Sequence, residues 1–154
     1  MNQLAPKRVC ESVTQQIQIL MPEHINGYNR LFGGKLMEWI DVVAAVVARR
    51  HSGCNVTTAC VDNLVFKAAA YVNSTVVLKG YITYVGKTSM EVRVDTFVEK
   101  LSGEQQIINT AYLVLVALDE NDKPTAVPPI LLQNEEERIE FAAGQKRSEY
   151  RKSR

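Results

Sequence analysis

The chain has little cysteine and little histidine, with three and two residues among 154. Cys10, Cys54 and Cys60 show no metal-ligand spacing and are too few for a disulfide framework. They predict reduced thiols in a cytoplasmic protein and no metal site. The first ten residues, MNQLAPKRVC, also lack the apolar core of a secretion signal.

The chain also has no excess of either charge, since it contains 18 basic and 17 acidic residues. This balance gives no indication of binding to nucleic acid or to a membrane surface. No apolar run is long enough, and free enough of charge, to span a bilayer. The length predicts one domain that is large enough to bury a core.

Proline and glycine are missing from Lys35 to Arg50, and this segment is predicted to form a long helix. Apolar residues recur in it at intervals of three and four, and its second half is apolar on every side. Such a helix is typically enclosed by other elements. The bases at the end of the segment suit the carbonyl end of a helix, and Gly53 is predicted as its left-handed terminus.

One acid, Asp41, lies in the middle of this apolar helix. At about 100° per residue it shares a stripe with the small residues Gly34, Ala44 and Ala48. We therefore expect a buried carboxylate that needs a charged or hydrogen-bonding partner. A catalytic acid and a structural acid that caps a neighbouring turn both remain open on this basis. Glu38 is expected to form only a surface pair with Lys35.

The remaining chain predicts an α+β fold with an antiparallel sheet. Strands are expected over residues 12–21, 55–72, 74–86, 88–100 and 107–122, the last of them central, and a helix from Asn134 onward. The predicted organisation is a flexible arm at 1–11, one domain at 12–132, and a C-terminal helix with a basic tail at 133–154. A sheet that wraps the helix leaves free edges, which pairing in a dimer would cover.

Four segments carry a resemblance to a known family: MPEHINGYNRLFGGKLMEWID, VTTACVDNLVF, VGKTSMEV and LVALDENDKPTAVPP. In this order they resemble the hotdog-fold acyl-CoA thioesterases of the cytosolic acyl-CoA hydrolase kind, over residues 12–130. The resemblance implies an antiparallel sheet wrapped around a long central helix. It also implies a homodimer with a continuous sheet as the minimal active unit, and a homohexamer built as a trimer of dimers.

The resemblance also implies the site residues. Asp41 matches the catalytic acid, Asn26 matches an asparagine contributed by the facing subunit, and Gly33 and Gly34 match a glycine pair. The free N–H groups of such a pair at a helix start can polarise a carbonyl oxygen. The chain departs from its relatives in loop positions such as Asn29 and Asn73, and these changes leave the proposed catalytic positions intact.

Coenzyme A carries phosphates, which cations and backbone N–H groups bind. Lys87, Thr88 and Ser89, in the predicted reversal between two strands, are candidates for substrate binding. Bases of the tail are further candidates: Lys146, Arg147, Arg151 and Lys152. No cofactor is expected, because coenzyme A belongs to the substrate.

The sequence thus predicts an acyl-CoA thioester hydrolase in which Asp41 acts as general base or as nucleophile. One alternative is a non-catalytic acyl-CoA sensor on the same fold. It would need an output module, for which residues 1–11 are too short. Another is a hotdog hydratase, which needs a histidine with its acid, and neither His24 nor His51 occupies a convincing position for this.

Overall fold

The computed structural model describes residues 4–154, apart from the side chain of Asn63. Its long helix, α1, spans Gly33–Ser52, as the sequence predicts. Gly53 follows with φ of 69°, and its N–H donates to the carbonyl of Arg49, so a left-handed glycine ends the helix. One face of α1 forms the centre of the core, with each of these side chains at most 1% exposed: Leu36, Ile40, Val43, Ala44, Val47 and Ala48.

The strands are β1 (Lys7–Arg8), β2 (Thr14–Ile19), β3 (Asn55–Phe66), β4 (Thr75–Val85), β5 (Ser89–Glu99), β6 (Gln105–Leu118) and β7 (Ile130–Leu131). Five of them form one sheet in the order β2-β4-β5-β6-β3. All neighbours in it are antiparallel. The sheet curls around α1, which confirms the α+β hotdog class. The middle place belongs to β5, and β6 lies between β5 and β3 with a partner on each side, so it is an inner strand, as its apolar sequence predicts.

The sheet approaches α1 closely at Gly80 of β4. A Cβ placed there would lie 2.6 Å from Cγ1 of Val43 and 3.1 Å from Cγ2 of Val47. Real Cβ atoms do not approach so closely, so only glycine lets the branched side chains of α1 rest on the backbone of β4. This contact fixes the depth at which α1 lies inside the curved sheet.

Residues 7–11, expected to belong to a flexible arm, are instead attached to the domain. β1 pairs in parallel with β7, and the N–H of Lys7 donates to the carbonyl of Pro129 at 3.0 Å. The 3₁₀ turn Val9–Glu11 follows, with Val9 buried in the core. Residues 1–3 of the predicted arm lie outside the described residues.

The second helix, α2, spans Glu135–Ser153 and confirms the predicted C-terminal helix. Its N-cap Asn134 accepts a hydrogen bond from the N–H of Glu137. α2 lies on the face of the sheet opposite α1, where Gly144 permits contact: a Cβ there would lie 2.6 Å from Cβ of Tyr84. Over residues 4–154, no helix is both long and apolar enough to cross a membrane.

His51, at the end of α1, is fully buried and its Nε2 lies 2.8 Å from the carbonyl oxygen of Pro128. Because a carbonyl can only accept, Nε2 carries the proton. Burial lowers the pKa of His51, although the Pro128 carbonyl acts in the opposite direction. His51 therefore joins α1 to the segment before β7 as a neutral side chain, and does not act as a charged cap of the helix.

A pH dependence of stability follows from this histidine. The unfolded chain takes up a proton on His51 as pH falls below about 6.5, whereas the folded protein resists it. The contribution of His51 to the free energy of unfolding is therefore complete above that pH. It is lost as pH falls toward the lower pKa of the folded state, by up to about 1.4 kcal/mol per pH unit. Urea unfolding between pH 7.5 and 5.5 should show a shallower decline for His51→Gln than for the parent. Equal declines would contradict this reading.

Candidate active site

Asp41 is exposed in the protomer, contrary to the expectation that it is buried. Its Oδ1 accepts a hydrogen bond of 2.6 Å from Oγ1 of Thr58 on β3. The carboxylate thus has one hydroxyl partner that fixes its orientation, while the rest of it stays open to solvent or to another molecule. We call Asp41 and Thr58 the carboxylate half-site.

The exposure of Asp41 follows from the position of β3 at the end of the strand order. The sheet stops at β3, so the side of α1 next to this strand extends past the cover that the sheet provides. Apolar side chains are exposed there too: Val42 is 52% exposed and Val61 is 42% exposed. A long free edge with exposed apolar residues is a surface that proteins commonly cover by pairing.

Gly33 and Gly34 open α1 with free amides. The N-cap residue, Phe32, supplies no side-chain acceptor, and its carbonyl bonds the N–H groups of Lys35 and Leu36. Within residues 4–154, neither glycine N–H has an acceptor. A Cβ placed on Gly33 would lie 3.8 Å from Cζ of Phe66, which is an ordinary contact. Two donors at the positive end of a helix are therefore available to a developing oxyanion.

Asn26 shapes the loop before α1. Its Oδ1 accepts from the backbone N–H of Tyr28 at 2.9 Å and of Arg30 at 3.3 Å. Asn29 completes the turn with φ of 60°, a conformation that asparagine adopts more readily than most residues. These bonds occupy the oxygen of Asn26 and leave its NH₂ group, which forms no hydrogen bond within the described residues. The amide nitrogen can therefore donate to a ligand.

Asn26 and the start of α1 share one cleft of about 350 Å³, which is lined by Asn26, Leu36 and Phe66 among others. Phe66 is also the residue next to Gly33. Phe66 and Leu36 thus connect the cleft of Asn26 with the first turns of α1, although the two glycines do not themselves line it. We call Asn26, Gly33 and Gly34 the amide half-site.

The two half-sites do not meet within one protomer. Gly33 and Asp41 are eight residues apart on one helix, which corresponds to about 12 Å along its axis. A single carbonyl group cannot lie within hydrogen-bond distance of both. Chemistry that uses Asp41 together with the glycine amides therefore requires the half-sites of two different protomers.

Of the predicted substrate residues, Lys87 and Thr88 lie in the reversal between β4 and β5, as expected, and Ser89 is the first residue of β5. Met90, next to them, and Thr58 both pair with Leu115 of β6. The reversal consequently lies at the same end of the sheet as the carboxylate half-site, and away from the cleft of Asn26.

The tail bases fall into two groups. Arg147 and Arg151 form ion pairs with Glu91, and Arg151 also binds Asp62. These two cations fasten α2 to the sheet and are occupied by protein carboxylates. Lys146 and Lys152 are exposed and form no ion pair within residues 4–154.

Thr58 is the candidate residue that sequence reasoning missed. Strand alternation should show which residues of β3 face the helix, but the pairing of β3 with β6 shifts between Thr58 and Cys60 and again between Asp62 and Leu64. Each shift changes which residues face α1. The pair Thr57-Thr58 in a strand directly after the helix was the only available signal.

Metal ligands are not clustered in the described part of the chain: no group of three or more His, Cys, Asp or Glu residues could hold an ion. The three cysteines are all free thiols. The groups that the two half-sites present are a carboxylate, a hydroxyl, a side-chain amide and backbone N–H groups.

A family model described as thioesterase superfamily matches residues 28–102. The chain is 38% identical over 149 residues to a Bacillus subtilis (strain 168) protein named uncharacterized acyl-CoA thioester hydrolase YkhA, and the match covers 96% of this chain and 87% of that one.

Solved structures of acyl-CoA thioesterases are also similar to this chain. An apo-hexameric acyl-CoA thioesterase has a TM-score of 0.93 and 36% identity, with 97% of both chains covered. An acyl-CoA hydrolase from Staphylococcus aureus, in complex with butyryl coenzyme A, coenzyme A and coenzyme A disulfide, has a TM-score of 0.91 and 30% identity over 96% of this chain and 90% of that one. The chain therefore belongs to the hotdog-fold acyl-CoA thioester hydrolases of the thioesterase superfamily.

Proposed function

We propose that the protein hydrolyses acyl-CoA thioesters to a free fatty acid and coenzyme A. The observation that carries this proposal is the combination of an exposed carboxylate, oriented by Thr58, with two unbonded glycine amides at the start of the same helix. These are the groups that thioester hydrolysis needs: a base or nucleophile, and donors for the oxyanion. Membership in the family supports the same conclusion.

In this mechanism the amides of Gly33 and Gly34 bind the thioester oxygen. Asp41 takes a proton from water as the water oxygen attacks the carbonyl carbon, or its own oxygen attacks to form a mixed anhydride that water then cleaves. The negative charge that develops on the carbonyl oxygen is stabilised by the two N–H groups. The thiolate of coenzyme A leaves and is protonated, and the NH₂ group of Asn26 orients the substrate or the water.

The active unit is proposed to be a homodimer in which the carboxylate half-site of one protomer faces the amide half-site of its partner. The separation of about 12 Å along α1 excludes a site within one protomer. Pairing at the free edge of β3 would cover the exposed apolar residues next to Asp41 and continue the sheet. A hexameric relative supports a further step, the assembly of such dimers into a homohexamer.

The choice of residues has support from the Staphylococcus aureus hydrolase. Alanine variants of an asparagine, an aspartate and a threonine of that enzyme have been solved. Their positions are 15 and 17 residues apart, which are also the separations of Asn26, Asp41 and Thr58 here. We therefore assign Thr58 to the site as the positioning residue of Asp41.

Thr58→Val is expected to lower kcat about 10- to 100-fold, because a hydrogen bond to a charged group contributes about 1.5–3 kcal/mol. KM should change little, since Thr58 contacts the carboxylate and not the substrate. Thr58→Ser should restore most of the rate, and Thr57→Val on the neighbouring residue should match the parent. A Thr58→Val enzyme with the kcat of the parent would remove Thr58 from the mechanism.

The alternatives differ in what they require. A hydratase needs a histidine beside its acid, but His51 is buried against Pro128, while Nδ1 of His24 accepts from the N–H of Met21. A non-catalytic acyl-CoA sensor would bind the same ligand without turnover. Incubation with acyl-CoAs of increasing chain length, with detection of free thiol, separates the readings: release of thiol supports the hydrolase, and binding without release supports the sensor.

A cytoplasmic location is part of the proposal and rests on the three free cysteines. The expected ligands are acyl-CoA and further copies of the chain, without nucleic acid or membrane partners. The β4–β5 reversal, Lys87 to Ser89, remains a predicted contact for the substrate.

A further inference from the structure

Strand β2 carries apolar side chains on the side of the sheet that faces away from α1. Gly80 of β4 contacts α1, and Leu78 on the same face of β4 belongs to the core. β2 pairs Gln16 with Leu78 and Ile17 with Val77. Since directly paired residues share a face, Gln16 lies on the side of the helix and Ile17 on the opposite side. An edge strand that is buried only by its own protomer normally shows the reverse pattern.

The outward side chains of β2 continue as an apolar row across the sheet. Ile17 of β2 pairs with Val77 of β4. Val77 in turn pairs with Phe97 of β5, and Phe97 pairs with Ile107 of β6. Ile17 is 61% exposed and Ile19 is 50% exposed, while Val77 beside them is buried. We call Ile17, Ile19, Val77, Phe97 and Ile107 the outer patch.

The second helix covers a different part of this face. α2 contacts the sheet at Tyr84, near the end of β4, and at Glu91, near the start of β5. Val77 and Phe97 lie at the opposite ends of these two strands. The outer patch therefore stays open to solvent in the protomer.

The polar residues that border the outer patch are bonded to one another. Nζ of Lys79 donates to Oε1 of Gln105 at 3.2 Å, and it lies 5.2 Å from the centre of the Phe97 ring. The NH₂ group of Gln105 donates to Glu99 at 2.9 Å. Because these groups have partners within the protomer, another surface could cover the patch without leaving Lys79 or Glu99 unpaired.

Most of the other exposed large apolar residues belong to α1, β3 and the loops beside them, which is the side assigned to the proposed dimer. Away from that side, exposed apolar residues such as Leu101 and Ile139 stand singly, as is common on protein surfaces. Ile17 and Ile19 instead occupy successive outward positions of one strand. A contiguous patch of this kind marks a surface for another protein chain.

We propose that the outer patch and the free edge of β2 form the contact between dimers, with a second copy of this chain as the partner. This inference rests on the proposed homohexamer and not on the proposed reaction. In a closed hexamer of dimers, each protomer needs a second interface besides the one that forms the dimer. The sheet ends in two edge strands, β2 and β3. The proposed dimer uses β3, so the exposed apolar surface at β2 remains for the second contact.

Ile17→Glu tests the contact, because it places a carboxylate where the assembly would bury an apolar side chain. Sedimentation equilibrium should show a threefold fall in mass, from six chains to two. The fold should remain intact, since Ile17 is exposed in the protomer. The kcat per chain should stay close to that of the parent, because β2 lies at the end of the sheet opposite β3 and Thr58.

Two further variants sharpen the test. Ile139→Glu, at a residue of α2 that is 60% exposed, is the matched control and should keep the mass of the parent. Ile17→Gln gives position 17 the residue type of its neighbours Gln16 and Gln18. It should raise the protein concentration at which hexamers dissociate by about tenfold or more, because an apolar contact is lost.

A hexameric Ile17→Glu protein, or equal dissociation of Ile17→Glu and Ile139→Glu, would overturn the inference. A purified parent that is only dimeric would also overturn it, since the outer patch would then serve a different partner. Dissociation of Ile17→Glu to monomers contradicts it as well, because the patch would then form the dimer itself. Mass is measured without substrate. Dissociation of Ile17→Glu to dimers therefore supports the contact even if the parent hydrolyses nothing.

Discussion

Replacing Asp41 with asparagine is expected to lower kcat for acyl-CoA hydrolysis by about 10²- to 10⁴-fold. The amide keeps the size of the side chain and can still accept from Thr58, but it can neither take a proton from water nor attack a carbonyl. Because Asp41 is exposed in the protomer, the fold should remain intact. The measurement is steady-state hydrolysis, with circular dichroism and size-exclusion chromatography of the same samples.

Glu38→Gln is the matched control. Glu38 lies three residues before Asp41 on α1, is exposed, and pairs with Lys35 at 3.0 Å on the surface. Its replacement removes the same charge from the same helix, so its kcat should equal that of the parent. If Asp41→Asn hydrolyses acyl-CoA at the rate of Glu38→Gln, the assignment of Asp41 is wrong.

The ion pair between Glu91 and Arg147 is expected to contribute strongly to the stability of the fold. Glu91 of β5 is 1% exposed and accepts from Arg147 through two hydrogen bonds of 2.8 and 2.9 Å, and from Oγ1 of Thr83 at 2.7 Å. Arg147 also lies 3.9 Å from the ring centre of Tyr112. Burial alone would lower the pKa of Arg147, but the hydrogen bonds to Glu91 raise it, so the guanidinium stays charged.

Glu91→Ala is expected to lower the free energy of unfolding by about 3 kcal/mol, the low end of the range for a broken buried pair, because it leaves the partly buried Arg147 without its carboxylate. α2 should detach first, since Arg147 and Arg151 both contact Glu91 from that helix. Urea denaturation at fixed protein concentration measures the change.

The control is Glu104→Ala, which breaks the Lys100–Glu104 pair between side chains that are 60% and 70% exposed. That loss should be at most about 1 kcal/mol. Similar losses for Glu91→Ala and Glu104→Ala would mean that the buried pair does not hold α2 to the sheet.

Much of the fold could be predicted from local pattern. The periodicity from Lys35 to Arg50 defined α1, and Gly53 defined its end, because these features depend on a few neighbouring residues. The Gly86-Lys87 reversal placed β4 beside β5 for the same reason. The order of the strands and the facing residues of β3 could not be predicted, because strand order and bulges depend on contacts between distant segments.

The site was predictable to a similar degree. Asp41, Asn26 and the glycine pair stood out by residue type and by the family resemblance. The exposure of Asp41 could not be predicted, because an apolar helix indicates burial and does not show where the sheet ends. The hydrogen bonds that Asn26 Oδ1 accepts from its own loop could not be predicted either, since they depend on the path of the backbone from Asn26 to Arg30.

One active site is proposed to combine the carboxylate half-site of one protomer with the amide half-site of another. Subunit complementation between Asp41→Asn and Asn26→Asp is the sharpest test of this shared site, because aspartate keeps an oxygen that can hold the loop and replaces the donating NH₂ group with a charged oxygen that can only accept. Each variant alone should be nearly inactive. In co-expressed mixtures, random pairing should restore about a quarter of the parental activity, since half of the dimers contain one intact site of two. Mixtures that stay at the level of the separate variants would contradict the shared site.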